Sequence, residues 1–303
     1  MSARIALPTL GVVVLAAVLL HRPVAAGAWG LPHGQWYANL EGSDYTSDTF
    51  HSTSARLDTG LVVEQRALVS TVEVGWKKHT TMVFRLPALS VSRRTSQVAG
   101  TATGFQDVGV GLRYSFASAV RAAALEFDWR GPAGYNSKLD SLGIQLGEGL
   151  QQLSLQLQAG TAIQKGGFVE GSVGYGHRYL GIAERASGPY VPGDPHTAKY
   201  RWSDQLQLSA DVAWWLGQSW LVSGRYRGGL TLSHGALVED EDVHLLGPAL
   251  HFRVDERLDM FAGSWSTITG KNTLHFDQFY LGLAFHRNKL NRLQGYLGGT
   301  SAP

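Results

Sequence analysis

The sequence contains no cysteine, few charged residues and, beyond residue 28, no long apolar run. Without cysteine the chain has neither disulfides nor thiolate metal ligands, which suits an exported protein that folds without bridges. Charged residues make up 17% of the chain, against about 25% in soluble domains. Because no segment after residue 28 stays apolar for about 20 residues, we expect no transmembrane helix in the mature chain.

Several kinds of functional site have no counterpart in the sequence. The formal net charge of +2 gives no general signal for a nucleic-acid partner. There is no phosphate-binding P-loop, no GxGxxG and no cluster of His and Cys, so we predict no cofactor and no metal site. The acidic run Glu239–Asp242 lacks the spaced oxygen ligands of a dedicated Ca²⁺ site and is more typical of a solvated loop.

The first 28 residues have the pattern of a secretory signal peptide. Arg4 precedes an apolar run from Ile5 to Leu20, and the small residues before Trp29 offer cleavage after Ala26 or Ala28. Pro8 and the short length of the run argue against a membrane anchor. We therefore predict residues 1–28 to be a signal peptide for Sec-dependent export, followed by a mature domain at 29–287 and a polar tail at 288–303.

A long hairpin between Gln151 and Tyr179 gives the clearest structural signal. Leu153, Leu155 and Leu157 share one parity, and glutamine, serine and glycine occupy the other. This alternation places the two sets on opposite faces of a strand. Each strand is about 11–13 residues long, twice the usual ~5–6 and enough for the ~9–11 that cross a bilayer.

The same alternation recurs along the chain and predicts twelve strands. Their expected bounds are 35–42, 64–74, 80–93, 104–116, 120–130, 151–163, 168–179, 203–215, 220–233, 243–254, 258–268 and 274–286. Polar loops are expected at 43–61 and 94–103. Pro87 lies inside the third strand and indicates a bulge, because proline cannot donate to the ladder.

The connections between these strands alternate in length, with short turns after the even-numbered strands and mostly longer loops after the odd-numbered ones. Aromatic residues cluster at the short turns (Trp76, Phe116, Trp214, Trp215, Trp220) and at the other rim (Trp129, Tyr179, Trp202), as in the girdles of membrane barrels. We predict an all-β fold, a transmembrane up-and-down antiparallel β-barrel of about twelve strands with long external loops and short periplasmic turns. The expected location is the outer membrane of a Gram-negative bacterium. The expected partners are outer-membrane lipid, lipopolysaccharide and the barrel assembly machinery, and the expected state is a monomer.

A soluble β-sandwich or barrel is the alternative fold. Such a fold would have to enclose the polar side chains at alternate positions of each strand or expose the apolar side chains between them. Either arrangement is unfavourable in free energy.

The polar parity would face the lumen of such a barrel. The expected lumen acids are Glu41, Glu73, Asp107, Glu126, Asp128, Glu170 and Asp211. The expected lumen bases are Arg85, Arg113, Arg130, Arg178, Arg225, Arg227 and Arg253. The two sets nearly balance, so we expect no arginine ladder of a single sign. Two readings remain open: the charges pair across strands and plug the barrel, or Arg225, Arg227, Asp211, Glu170 and Arg178 form a polar eyelet for a small solute.

Enzymatic function is not favoured by the sequence. Ser233 and His234 are adjacent, which does not give the geometry of a nucleophile and its base. His51 with Ser52 and Ser54 is a second candidate, but the His-x-Ser-Asn-Gly signature expected of an outer-membrane phospholipase is missing. We predict that the protein is not an enzyme.

One stretch resembles a known family. Thr103–Tyr114 is similar to the G-x-G-D-x-x-x-G-x-x-Y strand of outer-membrane transporters associated with the meta-pathway of phenol degradation, although Gln106 stands where that family often has glycine. Gly171–Tyr175 and Ser203–Leu206 are also similar, so the resemblance spans roughly 64–229. It implies a barrel for uptake of small, often aromatic or hydrophobic compounds. The sequence therefore favours a channel for a small-molecule solute. The alternatives are a closed structural or docking barrel and, less favoured, a rim-active hydrolase.

Overall fold

The computed structural model describes residues 30–51, 56–94, 99–116, 121–132, 151–163, 166–179, 204–232, 242–271 and 273–286. These residues form thirteen antiparallel strands: β1 Trp36–His51, β2 Arg56–Lys77, β3 Thr80–Arg94, β4 Ala99–Phe105, β5 Val108–Ser115, β6 Arg121–Gly131, β7 Gln151–Ile163, β8 Gly167–Tyr179, β9 Gln205–Leu216, β10 Trp220–Thr231, β11 Asp242–Arg253, β12 Leu258–Lys271 and β13 Thr273–His286. No helix in the described part is long and apolar enough to cross a membrane. The predicted signal peptide and polar tail lie outside the described residues and stay predictions.

The strands close into a barrel with twelve positions in its wall. Apart from β4 and β5, which do not pair with each other, each strand pairs with its sequence neighbours. β1 also pairs with β13, and the pairing of β2 with β3 completes the ring. β4 and β5 pair with successive parts of β3, so together they occupy one position. The predicted twelve-stranded antiparallel barrel is confirmed.

The break between β4 and β5 is the bulge that Pro87 indicated. Ala88 pairs with Phe105 while Arg85 pairs with Gly109, so two residues of β3 oppose three of its partner. The Gln106 N–H donates to the Pro87 carbonyl oxygen at 2.9 Å. The extra residue therefore lies on the strand opposite the proline.

Two predicted polar loops are wrong. Most of 43–61 belongs to the ends of β1 and β2, and β4 begins at Ala99 inside the loop expected at 94–103. Polar residues occupy both parities of 43–49 at the end of β1. The Ser90 and Thr103 hydroxyls bond across β3 and β4 at 3.0 Å. The alternation of apolar and polar residues disappears where neither face of a strand is apolar. The sequence pattern therefore could not show these extensions.

The outward face of the barrel is apolar, as the alternation predicted. Leu125 pairs with Leu157, which pairs with Val173, and all three side chains are exposed on the outside. Such a band is what the hydrocarbon of a bilayer covers in a membrane barrel.

Most of the aromatic girdle expected at the short turns is on the outside. Trp76, Phe116, Trp214 and Trp220 are exposed there. Trp215 is only 6% exposed and faces inward. Its assignment to the girdle is wrong, because it follows Trp214 directly on β9 and successive side chains take opposite faces. Trp202 and the side chain of Tyr179 lie outside the described part of the chain.

Candidate functional site

The chain enters the short-turn end of the barrel before β1 begins. Leu31 is 6% exposed, and its N–H donates to the inward-facing hydroxyl of Thr81 at 2.8 Å. Gly34, with φ of 77°, then turns the chain back toward the start of β1. No pattern in the sequence predicted this segment. Its backbone lies against the inward-facing residues Thr81 and Gly75 at one mouth of the lumen.

The close approach of this segment depends on a glycine in β2. A Cβ at Gly75 would overlap the carbonyl oxygen of Pro32 and lie 2.7 Å from that of Leu31. We expect Gly75→Ala to displace the segment, raising single-channel conductance and lowering the free energy of unfolding by about 1.5–3 kcal/mol as Leu31 loses its burial. Conductance and denaturant unfolding of the purified variant measure the two effects.

The control for that variant is Gly224→Ala, where an added Cβ would meet nothing within 4 Å. Its conductance should equal that of the wild type. If Gly75→Ala behaves like Gly224→Ala in both measurements, the segment does not narrow the mouth.

One wall of the lumen, on β2, β3, β5 and β6, carries a buried ion network centred on Glu126. The Glu126 side chain is 2% exposed and accepts from Arg85 Nη2 at 2.6 Å and from Arg113 Nε at 2.7 Å. Arg113 also donates to Glu73 at 3.0 Å, and Gln158 Nε2 donates to Glu126 at 3.0 Å. Each buried charge in this group therefore has an opposite charge in direct contact, as buried charges require.

The network continues along β6 to the next inward carboxylate. Asp128 pairs with Arg85 and accepts from Arg130 Nε at 2.9 Å. The structure thus brings together six of the predicted lumen residues: Glu73, Arg85, Arg113, Glu126, Asp128 and Arg130. Their geometry matches the reading in which charges pair across strands, and this wall has little free charge to offer a solute. Whether they border a solute path stays a prediction.

The opposite wall is built around Arg225 on β10, which lies six strand positions from β3 in either direction around the ring. Arg225 donates through Nε to Asp211 at 3.2 Å and through Nη1 to the Tyr280 hydroxyl at 2.9 Å. Its Cζ also lies 5.0 Å from the ring centroid of Trp265. Three elements of the wall therefore fix this guanidinium.

Arg227 lies two residues further along β10 and has a different environment. Its Cζ is 4.6 Å from the centroid of the same Trp265 ring. Among the described residues no carboxylate oxygen approaches it within 4.0 Å, and its side chain is exposed although it faces inward. Arg227 is therefore a positioned cation that borders open space inside the barrel.

The inward aromatic residues of β12 and β13 were not identified as site residues from the sequence. Phe261, Trp265 and Tyr280 are buried together on the inner face, with Ala249 and Ala284. In β12 both parities contain apolar residues, so the alternation does not show that Phe261 and Trp265 face inward. In β13 the sequence does indicate the orientation of Tyr280, because Tyr280 shares its parity with the polar residue Gln278.

The remaining predicted lumen residues lie at other levels of the barrel. Glu170 pairs across strands with Asp211, whereas Arg178 lies eight residues further along β8 and donates to Gln205 at 3.3 Å. Arg253 is near a short turn, 3.8 Å from Asp259 and 5.0 Å from the Trp215 ring. Arg178 therefore lies apart from Arg225, and the side chains of Trp265 and Tyr280 lie beside Arg225 instead. Whether the five residues form an eyelet stays a prediction.

Solved structures with a similar architecture include an outer membrane channel from Pseudomonas putida F1. The TM-score is 0.71 at 11% identity, over 86% of this chain and 98% of that one. The chain has the fold of an outer-membrane β-barrel. The translocator domain of autotransporter NalP from Neisseria meningitidis is also similar, with a TM-score of 0.52 at 10% identity over 92% of this chain and 95% of that one.

The two similar structures differ in what their names say they do, so the shared fold alone does not assign a function to this chain. No family model matches the sequence, and no curated protein matches it. The resemblance to the transporters of the phenol meta-pathway therefore stays a prediction.

Proposed function

We propose that the protein is a monomeric channel of the bacterial outer membrane that passes small solutes through a polar lumen of nearly balanced charge. The apolar outer face would contact outer-membrane lipid and lipopolysaccharide. Sec-dependent export and the barrel assembly machinery would bring the chain there. The channel name of one similar barrel is in keeping with this role and with the absence of an enzymatic function.

The observation that carries the proposal is the exposure of Arg227 on the inner face. A side chain inside a closed barrel is exposed only where water fills the space beside it. The Arg130 side chain on β6 is likewise 46% exposed within the other wall. Water-filled space between two charged walls is what a solute path requires.

A closed barrel that docks a ligand or partner through its external loops is the second candidate. The burial of Leu31 at one mouth and of Glu126 in the wall favours it. The loops predicted at 131–150 and 181–202 lie almost wholly outside the described residues, as do Ser233 and His234 of the less favoured hydrolase.

Ion selectivity tests whether the Arg225 wall borders the path. Arg225→Gln/Arg227→Gln removes the two arginines nearest to the carboxylates of Asp211 and Glu41, so we expect selectivity to shift toward cations. A unit charge 4 Å from an ion changes its energy by about 1 kcal/mol even in water, so the permeability ratio should change about fivefold or more. Reversal potentials in a salt gradient measure this ratio.

The matched control is Arg66→Gln/Arg94→Gln, which removes two arginines whose side chains are 78% and 66% exposed, on the long strands β2 and β3. Its reversal potential should stay near that of the wild type. Equal reversal potentials for the two double variants and the wild type would place Arg225 and Arg227 away from any conducting path.

A further inference from the structure

Glu41 is a second lumen charge without a direct partner. It lies on the inner face of β1, opposite Gly282 of β13, and is half-buried. Within the described part of the chain its carboxylate makes no hydrogen bond and no ion pair within 4.0 Å. It lies at the level of the Arg225 wall, because Tyr280, whose hydroxyl accepts from Arg225, pairs with Ser43, two residues from Glu41 on the same face of β1. Arg227 and Arg225 on β10 are therefore near enough to attract its carboxylate. Since β1 and β10 are four positions apart in the ring, this attraction acts across the lumen.

Arg227 and Glu41 are thus opposite charges that face each other without touching. Arg225 cannot bridge them, because Asp211 and Tyr280 already hold it. The Arg227 guanidinium lies against the Trp265 ring, which restricts where the side chain can go. In the gap between the two charges, a positioned cation and a carboxylate both lack a direct ionic contact with any described residue.

A solute with one charge gains little in this gap. A carboxylate beside Arg227 is repelled by Glu41, and an ammonium beside Glu41 is repelled by Arg227. A solute with both charges satisfies both groups at once, through a fork of hydrogen bonds from the guanidinium to its carboxylate and an ion pair between Glu41 and its ammonium. The charge pattern therefore favours zwitterions over either kind of simple ion.

We propose that Arg227 and Glu41 form a retention site for small zwitterions of the α-amino acid class. The carboxylate of the solute binds Arg227 and its ammonium binds Glu41. This inference rests on the proposed channel function and names the solute class that the lumen selects. It predicts that an amino acid interrupts the ion current through the channel as it occupies the gap.

Three probes of similar size separate the two charges of the solute. Alanine carries both charges, propionate carries only the carboxylate, and ethylammonium carries only the amine. In the wild type, alanine should block the current at a concentration about tenfold lower than either simple ion. This comparison needs no variant.

Two charge-neutralising variants should respond in opposite ways. Arg227→Gln should weaken block by alanine and propionate about tenfold and strengthen block by ethylammonium. Glu41→Gln should weaken block by alanine and ethylammonium and strengthen block by propionate. Arg94→Gln and Glu64→Gln make the same changes at an exposed pair 3.9 Å apart, and they should leave all three probes unchanged.

The outcomes distinguish a failure of the zwitterion site from a failure of the proposed channel function. A wild type that inserts but conducts no current contradicts both. A conducting wild type in which alanine blocks no better than propionate or ethylammonium contradicts the zwitterion site alone. The same holds if the two variants shift the three probes in parallel instead of in opposite directions.

Discussion

Glu126→Gln is expected to lower the free energy of unfolding by about 3–5 kcal/mol, the usual cost of removing one partner from a buried ion network. Arg113 and Arg85 would each lose one of two carboxylate contacts, and Arg113 is nearly as buried as Glu126 itself. Glutamine keeps the shape of the side chain, so the loss reflects charge and not a cavity. Denaturant unfolding in lipid vesicles, followed by tryptophan fluorescence, measures the change.

Two variants sharpen this test. Glu64→Gln removes the same charge from an exposed pair with Arg94 at 3.9 Å and should change stability by at most about 1 kcal/mol. Glu126→Gln/Arg113→Gln should recover part of the loss, because it also removes a buried cation that Glu126→Gln leaves short of partners. An unfolding midpoint for Glu126→Gln equal to that of Glu64→Gln would show that the network contributes nothing to stability.

Leu157→Arg is expected to destabilise the barrel in a bilayer by about 2–4 kcal/mol. Leu157 lies on the outward face near the middle of β7, is 51% exposed and pairs with Leu125 and Val173. An arginine there has no polar partner in the hydrocarbon layer. Unfolding from vesicles measures the loss, and refolding yield gives an independent reading.

The control places the same residue at the rim. Leu232 follows the outer end of β10 and is 47% exposed, and arginine close to the membrane interface costs only about 0–1 kcal/mol. Leu232→Arg should therefore refold like the wild type. Equal losses for the two variants would mean that the apolar band is not covered by lipid at the level of Leu157.

The sequence predicted the hairpin of β7 and β8 almost to the residue, because each of its faces meets a single environment along its whole length. It failed at the outer end of β1, where polar residues occupy both parities of 43–49 and alternation carries no information. It also assigned Trp215 to the girdle by its proximity to a turn, although its parity with Asp211 places it inside.

The candidate site could be predicted only in part. Parity identified Arg113, Glu126 and Arg225 as inward-facing, since alternation depends on neighbours within one strand. Which acid meets which base depends on the stagger between strands, and that stagger is fixed by closure of the whole ring. The contact between Arg225 and Tyr280, 55 residues apart, is of this kind. The segment at Leu31 has no periodic pattern at all.

Single-channel conductance of the refolded mature protein in a planar bilayer tests the channel function most directly. We expect steady openings with a current proportional to voltage, because the exposed side chain of Arg227 borders open space inside the barrel. Heat-modifiable migration on a gel confirms separately that the barrel has folded. A protein that folds and inserts but passes no current would contradict the channel and favour the closed barrel.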